Sequence, residues 1–475
     1  MAATPSRLRT IARSRLAQGT VLAATTIILV DRPAPAQSER SAAEPVRLIT
    51  LDPGHFHAAL IQKEMYPGVS DVVHVFAPVG TDLAGHLNRV AQFNEREERP
   101  TRWQLEVHSG PDFMTRMLRE RPGNVVVLSG RNRPKIDRIV SSVNAGLNVL
   151  ADKPWIVSTS DLPKLEAVLT QAAAKGLVAY DVMTERFEIT TILQKEFVND
   201  AAVTGQVVRG TEREPGVYMD SVHYLMKTVA GVPNLRPTWF FDTDQQGEGL
   251  ADVGTHLVDL VPWILFPQQT IDYKTDIRLL AAERRPTLVS LAGFKRVTGA
   301  AGFPASLASR VKDGQLQYDG NTSLLYTLRG IHTRVKVSWD FEAAPGAGDT
   351  HAAVVRGSRA RIEVRQGPEQ KYRTELYIVP VSQADHAGVA EAAKARVSAL
   401  QSRFRGLALE DSGRELHVIV PDAYRTGHEA HFAEVTRQFL GYVRNPASVP
   451  AWEQSAMLAK YYVTTSGVAL SRKDR

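Results

Sequence analysis

The sequence predicts an α/β chain in which a doubly wound parallel sheet comes first and a second α/β domain with a large, mostly antiparallel open sheet follows. Between residues 46 and 180, short continuous apolar runs alternate with helical patterns, as strands do when helices cover both faces of their sheet. From Thr204 onward the apolar positions recur at period two, the mark of half-buried antiparallel strands. The size and composition agree: 475 residues, 43% hydrophobic and 23% charged, describe a globular chain with interior for two or three cores.

Taken in order, residues 1–36 read as a signal peptide. Arg7, Arg9, Arg13 and Arg15 precede an uncharged stretch over residues 16–30, and Ala34-Pro35-Ala36 forms a small-x-small cleavage site. The apolar run is short for a span of about 20 residues, and Asp31-Arg32-Pro33 ends any helix. The expectation is export to the periplasm, cleavage near Ala36 and no stable membrane insertion afterwards. Residues 37–45, rich in Ser, Ala and Glu, are a linker. Residues 46–51 form a strand ended by Asp52-Pro53-Gly54, and residues 57–61 a helix. Further buried strands fall at 72–76, 124–128 and 147–150, with a helix over 135–145. This domain spans 46–180, and 181–475 forms the second. There the clearest alternating strands are 324–328, 333–339 and 361–364. Residues 343–349 are a loop and 387–402 an exposed helix. Residues 431–462 are helical, interrupted at Pro446 and Pro450, and return to the N-terminal domain.

The absence of Cys excludes a disulfide framework, thiolate catalysis and Cys-ligated zinc or iron–sulfur centres. The net charge of +6 suggests polyanion binding until it is located. Residues 1–36 carry five arginines and one acid, so the remaining 52 basic and 50 acidic residues nearly balance. No nucleic-acid partner is expected.

In a doubly wound sheet, ligands bind beyond the carboxyl ends of the strands, so the first turn, Leu51-Asp52-Pro53-Gly54-His55-Phe56-His57, is informative. Of the three glycines a dinucleotide fingerprint needs, Gly54 is present, while Asp52 and His57 hold the other two places. Asp152-Lys153-Pro154 follows directly on the strand ending at Leu150, which aims Lys153 at the crevice. Within residues 247–260, Asp252, His256 and Asp259 share one helix face at i, i+4 and i+7. A His beside a carboxylate serves general acid–base chemistry near neutral pH. A core histidine, or a zinc pair completed by His223, fits the same spacing.

Together these three motifs, in this order and over nearly the whole mature chain, resemble the Gfo/Idh/MocA oxidoreductases, the family of glucose-fructose oxidoreductase and inositol dehydrogenase. The resemblance implies an N-terminal Rossmann domain, NAD or NADP as cofactor and a sugar or polyol substrate. By motif, Lys153 corresponds to the lysine that contacts cofactor and reacting hydroxyl, Asp252 to the substrate-positioning aspartate and His256 to the proton-transferring histidine. Gly54, His55, Phe56, His57, Ser129, Asn132, Asp152, Lys153 and Pro154 are the implied cofactor contacts, with no metal. Two departures concern the cofactor: the reduced glycine fingerprint, and a second strand ending His74-Val75-Phe76-Ala77-Pro78 with no carboxylate for a ribose diol, Asp82 being the nearest acid. Candidate sugar contacts are Glu185, Arg186, Tyr218, His223 and Trp239, with Tyr180 and Trp263 as further aromatic candidates. The family's open sheets often pack into dimers or tetramers, which leaves room for a homo-oligomer.

Export adds a constraint, because free nicotinamide cofactor is a cytoplasmic commodity. An exported member must hold its cofactor tightly and return it unchanged each turnover. Sugar–sugar oxidoreduction, epimerisation and glycoside cleavage through a keto intermediate all satisfy this. A noncatalytic exported sugar-binding protein on the same fold and a metal-dependent hydrolase using Asp252, His256 and His223 are the competing readings.

Overall fold

The computed structural model describes residues 45–473 except 230, 231 and 234. The signal peptide and nearly all of the linker expected from sequence lie outside the described residues. Six parallel strands, β1 (Leu48–Leu51), β2 (Val72–Ala77), β3 (Gln104–Ser109), β4 (Val125–Leu128), β5 (Asn148–Ala151) and β6 (Ala179–Asp181), hydrogen-bond in the order 3-2-1-4-5-6. α1 (His57–Ile61), α2 (Thr81–Glu95), α3 (Phe113–Glu120), α4 (Lys135–Asn144) and α5 (Leu162–Ala174) alternate with them. β1 and β4 are buried at every position, which is why they read as continuous apolar runs. Strand order reverses between β1 and β4, so a ligand crevice opens beyond their carboxyl ends.

The second sheet follows α6 (Ile189–Val198). It comprises β7 (Val217–Met226), β10 (Ile277–Ser290), β11 (Val311–Lys312), β12 (Gln315–Leu328), β13 (Ile331–Glu342), β14 (Thr350–Arg356), β15 (Ala360–Gln366), β16 (Glu375–Pro380), β17 (Ala408–Asp411) and β18 (Leu416–Ile419). A separate small ribbon joins β8 (Thr228–Val229) to β9 (Val232–Pro233). The large sheet runs in the order 10-12-13-7-14-15-16-18-17, with β11 on β12, and its pairs are antiparallel apart from β7 with β13. Alternate residues of β7, Val217, Met219 and Leu225, enter the core beneath the helices. The intervening residues occupy the other face.

α7 (Thr243–Gln246), α8 (Gly249–Asp252), α9 (Gly254–Leu265) and α10 (Leu291–Thr298) precede or interrupt the sheet, and α11 (Gln383–Leu400), α12 (His428–Arg444) and α13 (Ala451–Ser471) complete the chain. α13 joins the two layers. Its Met457 and Tyr461 pack in the core of the parallel sheet, while Ala459, Val463 and Val468 pack in that of the second. Buried ion pairs reinforce the junction: Arg186 holds Asp259 and Glu453, and Lys460 holds Asp181 at 2.6 Å and Asp259 at 2.9 Å. α13 has 21 residues, yet among the described residues no helix is long and apolar enough to cross a membrane.

Candidate active site

The turn after β1 is laced to the turn after β4. Asp52 takes a left-handed φ of +46°, and its carboxylate pairs with Arg138 at 2.5 Å. The Gly54 amide donates to the carbonyls of Asp52 and Ser129 at 2.8 Å, and that of His55 to Ser129 at 3.3 Å. The two loops approach so closely that a Cβ on Gly130, at φ +108°, would lie 2.7 Å from the Gly54 backbone. Gly130→Ala is therefore expected to push the loops apart and weaken nucleotide binding by at least about tenfold, or about 1.4 kcal/mol, while circular dichroism stays native. A nucleotide titration of the variant checks this.

Asp152, at the end of β5, holds the turn from beneath. It receives His57 Nδ1 at 3.2 Å and the Ser129 hydroxyl at 3.2 Å, with His55 Nδ1 at 3.5 Å. The Lys135 ammonium pairs with its other oxygen and donates to its backbone carbonyl at 2.9 Å. Burial alone would raise the Asp152 carboxyl, but Lys135 and the histidines hold it well below the ordinary range. Burial pushes His55 down, and His57 well down with the further help of His55. Where a dinucleotide fingerprint has its third glycine, this turn thus has a buried imidazole clamped to β5.

These buried neutral histidines set a stability window. Burial also lowers His86, to about 4, and His256, to about 3. A histidine with a lowered folded value binds fewer protons folded than unfolded, so it costs stability as pH falls from 6.5 toward that value. The expected result is a melting temperature that declines between pH 6.5 and 4, at about 1.4 kcal/mol per pH unit for each fully buried histidine. Thermal melts across that range check it, and a flat profile would contradict it.

Across the crevice, α8 is pressed onto β12 so tightly that a Cβ on Gly249 would lie 1.9 Å from the Gly320 carbonyl oxygen. That contact brings Asp252 to Lys153, two residues beyond the end of β5. Lys153 donates to Asp252 Oδ1 at 2.6 Å and to its carbonyl at 3.0 Å, with both side chains below 10% exposed. Burial alone would raise Asp252, but Lys153 outweighs it and holds the carboxyl low. His256, in the first turn of α9, is pushed down by burial and then by Lys153, so its imidazole is neutral. Its Nδ1 is enclosed without a hydrogen-bond partner. Burial would raise Glu185, but the His428 imidazole, 3.2 Å away, outweighs it and holds the carboxyl low.

The structure corrects several expected contacts. Arg186 is not open to a sugar: its three guanidinium nitrogens are taken by Asp259, at 2.6 and 2.7 Å, and Glu453, at 2.8 Å. Asp259 accordingly belongs to this junction, and from one turn further along α9 it also acts on His256. Tyr218 lies on the sheet face opposite the core, where its hydroxyl donates to Asp220 at 2.6 Å. His223, on the helix-covered face, bonds Asp349 at 3.0 Å and Ser221 at 2.8 Å. Trp239 stands over the cofactor turn instead of the sugar side, 3.4 Å from the Cβ position of Gly54, and its Nε1 donates to Asp82 at 3.2 Å. Asn132 is occupied by Gln246 and Lys135. Tyr180 is buried on Glu453, and Trp263 carries the Lys195 ammonium over its ring at 3.8 Å. Pro154 follows Lys153 through a cis peptide. Among the described residues, the His/Asp/Glu triads whose ligand atoms converge are His55–His57–Asp152 and His74–Glu106–His108, so the Asp252, His256 and His223 combination is not one.

Beyond Gly54, His55 and Phe56 a cavity of about 720 Å³ opens along the ends of β1 and β2, inside the range of about 300–1,000 Å³ for ligand sites. Arg89, Arg131 and Arg236 line it, with Asp52 and Asp82 as its acids. Asp52 is neutralised by Arg138, and Asp82, raised by burial, is opposed first by Arg131 and then by the Trp239 bond. The arginines give this crevice a positive lining suited to the phosphates of a dinucleotide, with Asp82 in the first turn of α2. Sequence reasoning missed Arg89, Arg131 and Lys135. The His-x-x-His spacing of His428 and His431 was the one signal that could have singled out that pair.

The family model described as "Putative oxidoreductase C terminal domain" matches residues 193–472. A solved "putative oxidoreductase" from Parabacteroides merdae ATCC 43184 is 43% identical, covers 91% of this chain and 98% of its own, and superposes with a TM-score of 0.89. A levoglucosan dehydrogenase in complex with NADH and levoglucosan is 13% identical, over 91% of this chain and 98% of its own, at TM-score 0.57. A 3-ketoreductase from Actinomadura kijaniata in complex with NADP is 14% identical, over 90% and 97%, at TM-score 0.53. The last two share the fold. No curated protein matches the chain. The chain belongs to the family described as "Putative oxidoreductase C terminal domain" and is an oxidoreductase of the Gfo/Idh/MocA type.

Proposed function

We propose that the chain is an exported sugar or polyol oxidoreductase that holds NAD or NADP tightly, moves hydride between it and a secondary hydroxyl or its ketone, and is redox-neutral overall. The observation that carries this reading is the Lys153–Asp252 pair at 2.6 Å beside the neutral His256, at the crevice end of β5. When bound, the nicotinamide ring supplies the hydride acceptor. Lys153 offers an ammonium to the substrate oxygen and favours its alkoxide, Asp252 fixes that ammonium, and His256 accepts the hydroxyl proton. The Glu185 carboxylate steadies the imidazolium that results. The Gly54 turn, Arg89 and Arg131 bind the dinucleotide. Solved proteins of this fold in complex with NADH and levoglucosan or with NADP support the cofactor class and the sugar substrate.

The basic, apolar and small-x-small segments of residues 1–36 support export, and export supports a cofactor that is never exchanged. Mass and absorbance spectra of the purified, denatured protein test the reading. Near-stoichiometric NAD(H) or NADP(H) is expected. Protein that carries no nucleotide and binds neither added form would overturn it in favour of a noncatalytic sugar-binding role. N-terminal sequencing of the secreted form tests export, with a start near Gln37 expected.

A further inference from the structure

A second cluster of chemistry-bearing residues lies at the outer edge of the parallel sheet, apart from the crevice. β2 and β3 pair in register with His74 beside Glu106 and Phe76 beside His108, so His74, Glu106 and His108 leave the same face. His74 Nδ1 lies 3.3 Å from His108 Nε2 and 3.2 Å from Glu106 Oε2. The two imidazole rings are 21° from parallel, with centroids 5.6 Å apart.

Hydrogen bonding alone serves this arrangement poorly. The outward valence of Nδ1 holds either one proton or one lone pair. A proton there is contested by an acceptor-only carboxylate and a second imidazole nitrogen. Without the proton, the lone pair of Nδ1 faces that of the carboxylate. A divalent cation accepts a lone pair from all three atoms at once. Ligands about 2.1 Å from a tetrahedral ion are about 3.4 Å apart, close to the separations present. Each ligand is carried on a strand, so the spacing is set by the ladder rather than by a loop.

We propose that His74, Glu106 and His108 form a binding site for a borderline divalent cation of the Zn²⁺ class, which clips the edge strand β3 to β2. Two imidazoles and one carboxylate favour such an ion over Mg²⁺ or Ca²⁺. Glu106 has a side chain 58% exposed, so the ion has a path from solvent and water can complete its shell. The other convergent triad, His55–His57–Asp152, is less suited, because the buried Lys135 ammonium already pairs with its carboxylate and would face the ion. β3 is a sheet edge with four of its six residues exposed, so a cross-strand clip acts where pairing is weakest.

The test uses the untagged full chain, stripped with a chelator and titrated with Zn²⁺ by calorimetry. One Zn²⁺ per chain is expected, with a melting temperature that rises with Zn²⁺ and not with Mg²⁺. His108→Ala and Glu106→Gln are each expected to weaken binding at least tenfold. Absence of binding, or binding that both variants retain at full strength, overturns the site. Should His108→Ala fail to fold, the exposed Glu106→Gln decides the question alone.

Discussion

Lys153→Ala is expected to lower turnover by about 10²–10⁴-fold, the range that a positioned proton-transfer or charge-stabilising group supplies. The loss should fall on kcat more than on KM, since the ammonium is placed for an alkoxide rather than for a neutral hydroxyl. Removing the cation also leaves Asp252, 5% exposed, as an uncompensated buried carboxylate, which costs about 3–5 kcal/mol of stability. Lys153→Ala with Asp252→Asn separates the two effects: stability should largely return while turnover stays low. His256→Ala should produce a comparable loss of turnover with little change in stability, because its Nδ1 makes no hydrogen bond to lose. Turnover can be followed by product analysis over a panel of sugars and polyols, and the hydride step by the transient absorbance of the bound nicotinamide in a single turnover. Both single variants turning over at the parent rate would remove the proton-transfer roles assigned to them.

What sequence could show of this molecule depended on how far each residue's partners lie along the chain. β1, β4 and β5 were legible because they are buried on both faces and nearly every residue in them is apolar. β3 was not, since an edge strand written Gln-Leu-Glu-Val-His-Ser is mostly exposed and its alternation rests on Leu105 and Val107 alone. β6 was missed for another reason: it is three residues long and ends on Asp181, which Lys460 neutralises from the far end of the sequence. The period-two strands of the second sheet were legible, but the face each residue takes was not. Tyr218 and His223 stand five positions apart on one strand, so the pleat sends them to opposite sides.

The same contrast holds in the site. Lys153 and Asp252 were found separately, Lys153 from its place directly after a strand and Asp252 from its helical spacing to a histidine. That they pair across 99 residues appears only in the fold. Asp152 looked like a neighbour of the functional lysine. It proves to be the anchor of the cofactor turn, through His57, Ser129 and Lys135. The reduced glycine fingerprint was read as a weakness. In the folded chain Gly130, from the adjacent turn, packs against the Gly54 backbone, and His57, clamped to Asp152, occupies the place of the missing third glycine.

Arg186→Ala is expected to destabilise the protein by about 3–5 kcal/mol, read as a shift in urea midpoint with unchanged slope. The guanidinium binds Asp259 through two nitrogens and Glu453 through a third, and all three side chains are 6% exposed or less. Deleting it strands Glu453 with only the Tyr180 hydroxyl, at 3.0 Å, and leaves Asp259 to Lys460. Because these residues belong to the short turn Thr184–Phe187, α9 and α13, which join the two sheets, the loss should appear as earlier separation of the layers in hydrogen exchange at β6 and α13. Arg186→Lys keeps the charge but loses the planar fork that makes two bonds to Asp259 and one to Glu453, so an intermediate loss is expected. Acid behaviour gives an independent check. Burial would raise Asp259, yet Arg186 and Lys460 hold it well below its ordinary value, so its contribution is complete above about pH 4 and is lost as pH falls through the lower folded value. Without Arg186 that folded value rises, and the decline of stability below pH 4 should flatten. A variant of ordinary stability with a raised KM for sugar would instead return Arg186 to the substrate-contact role its sequence position suggested.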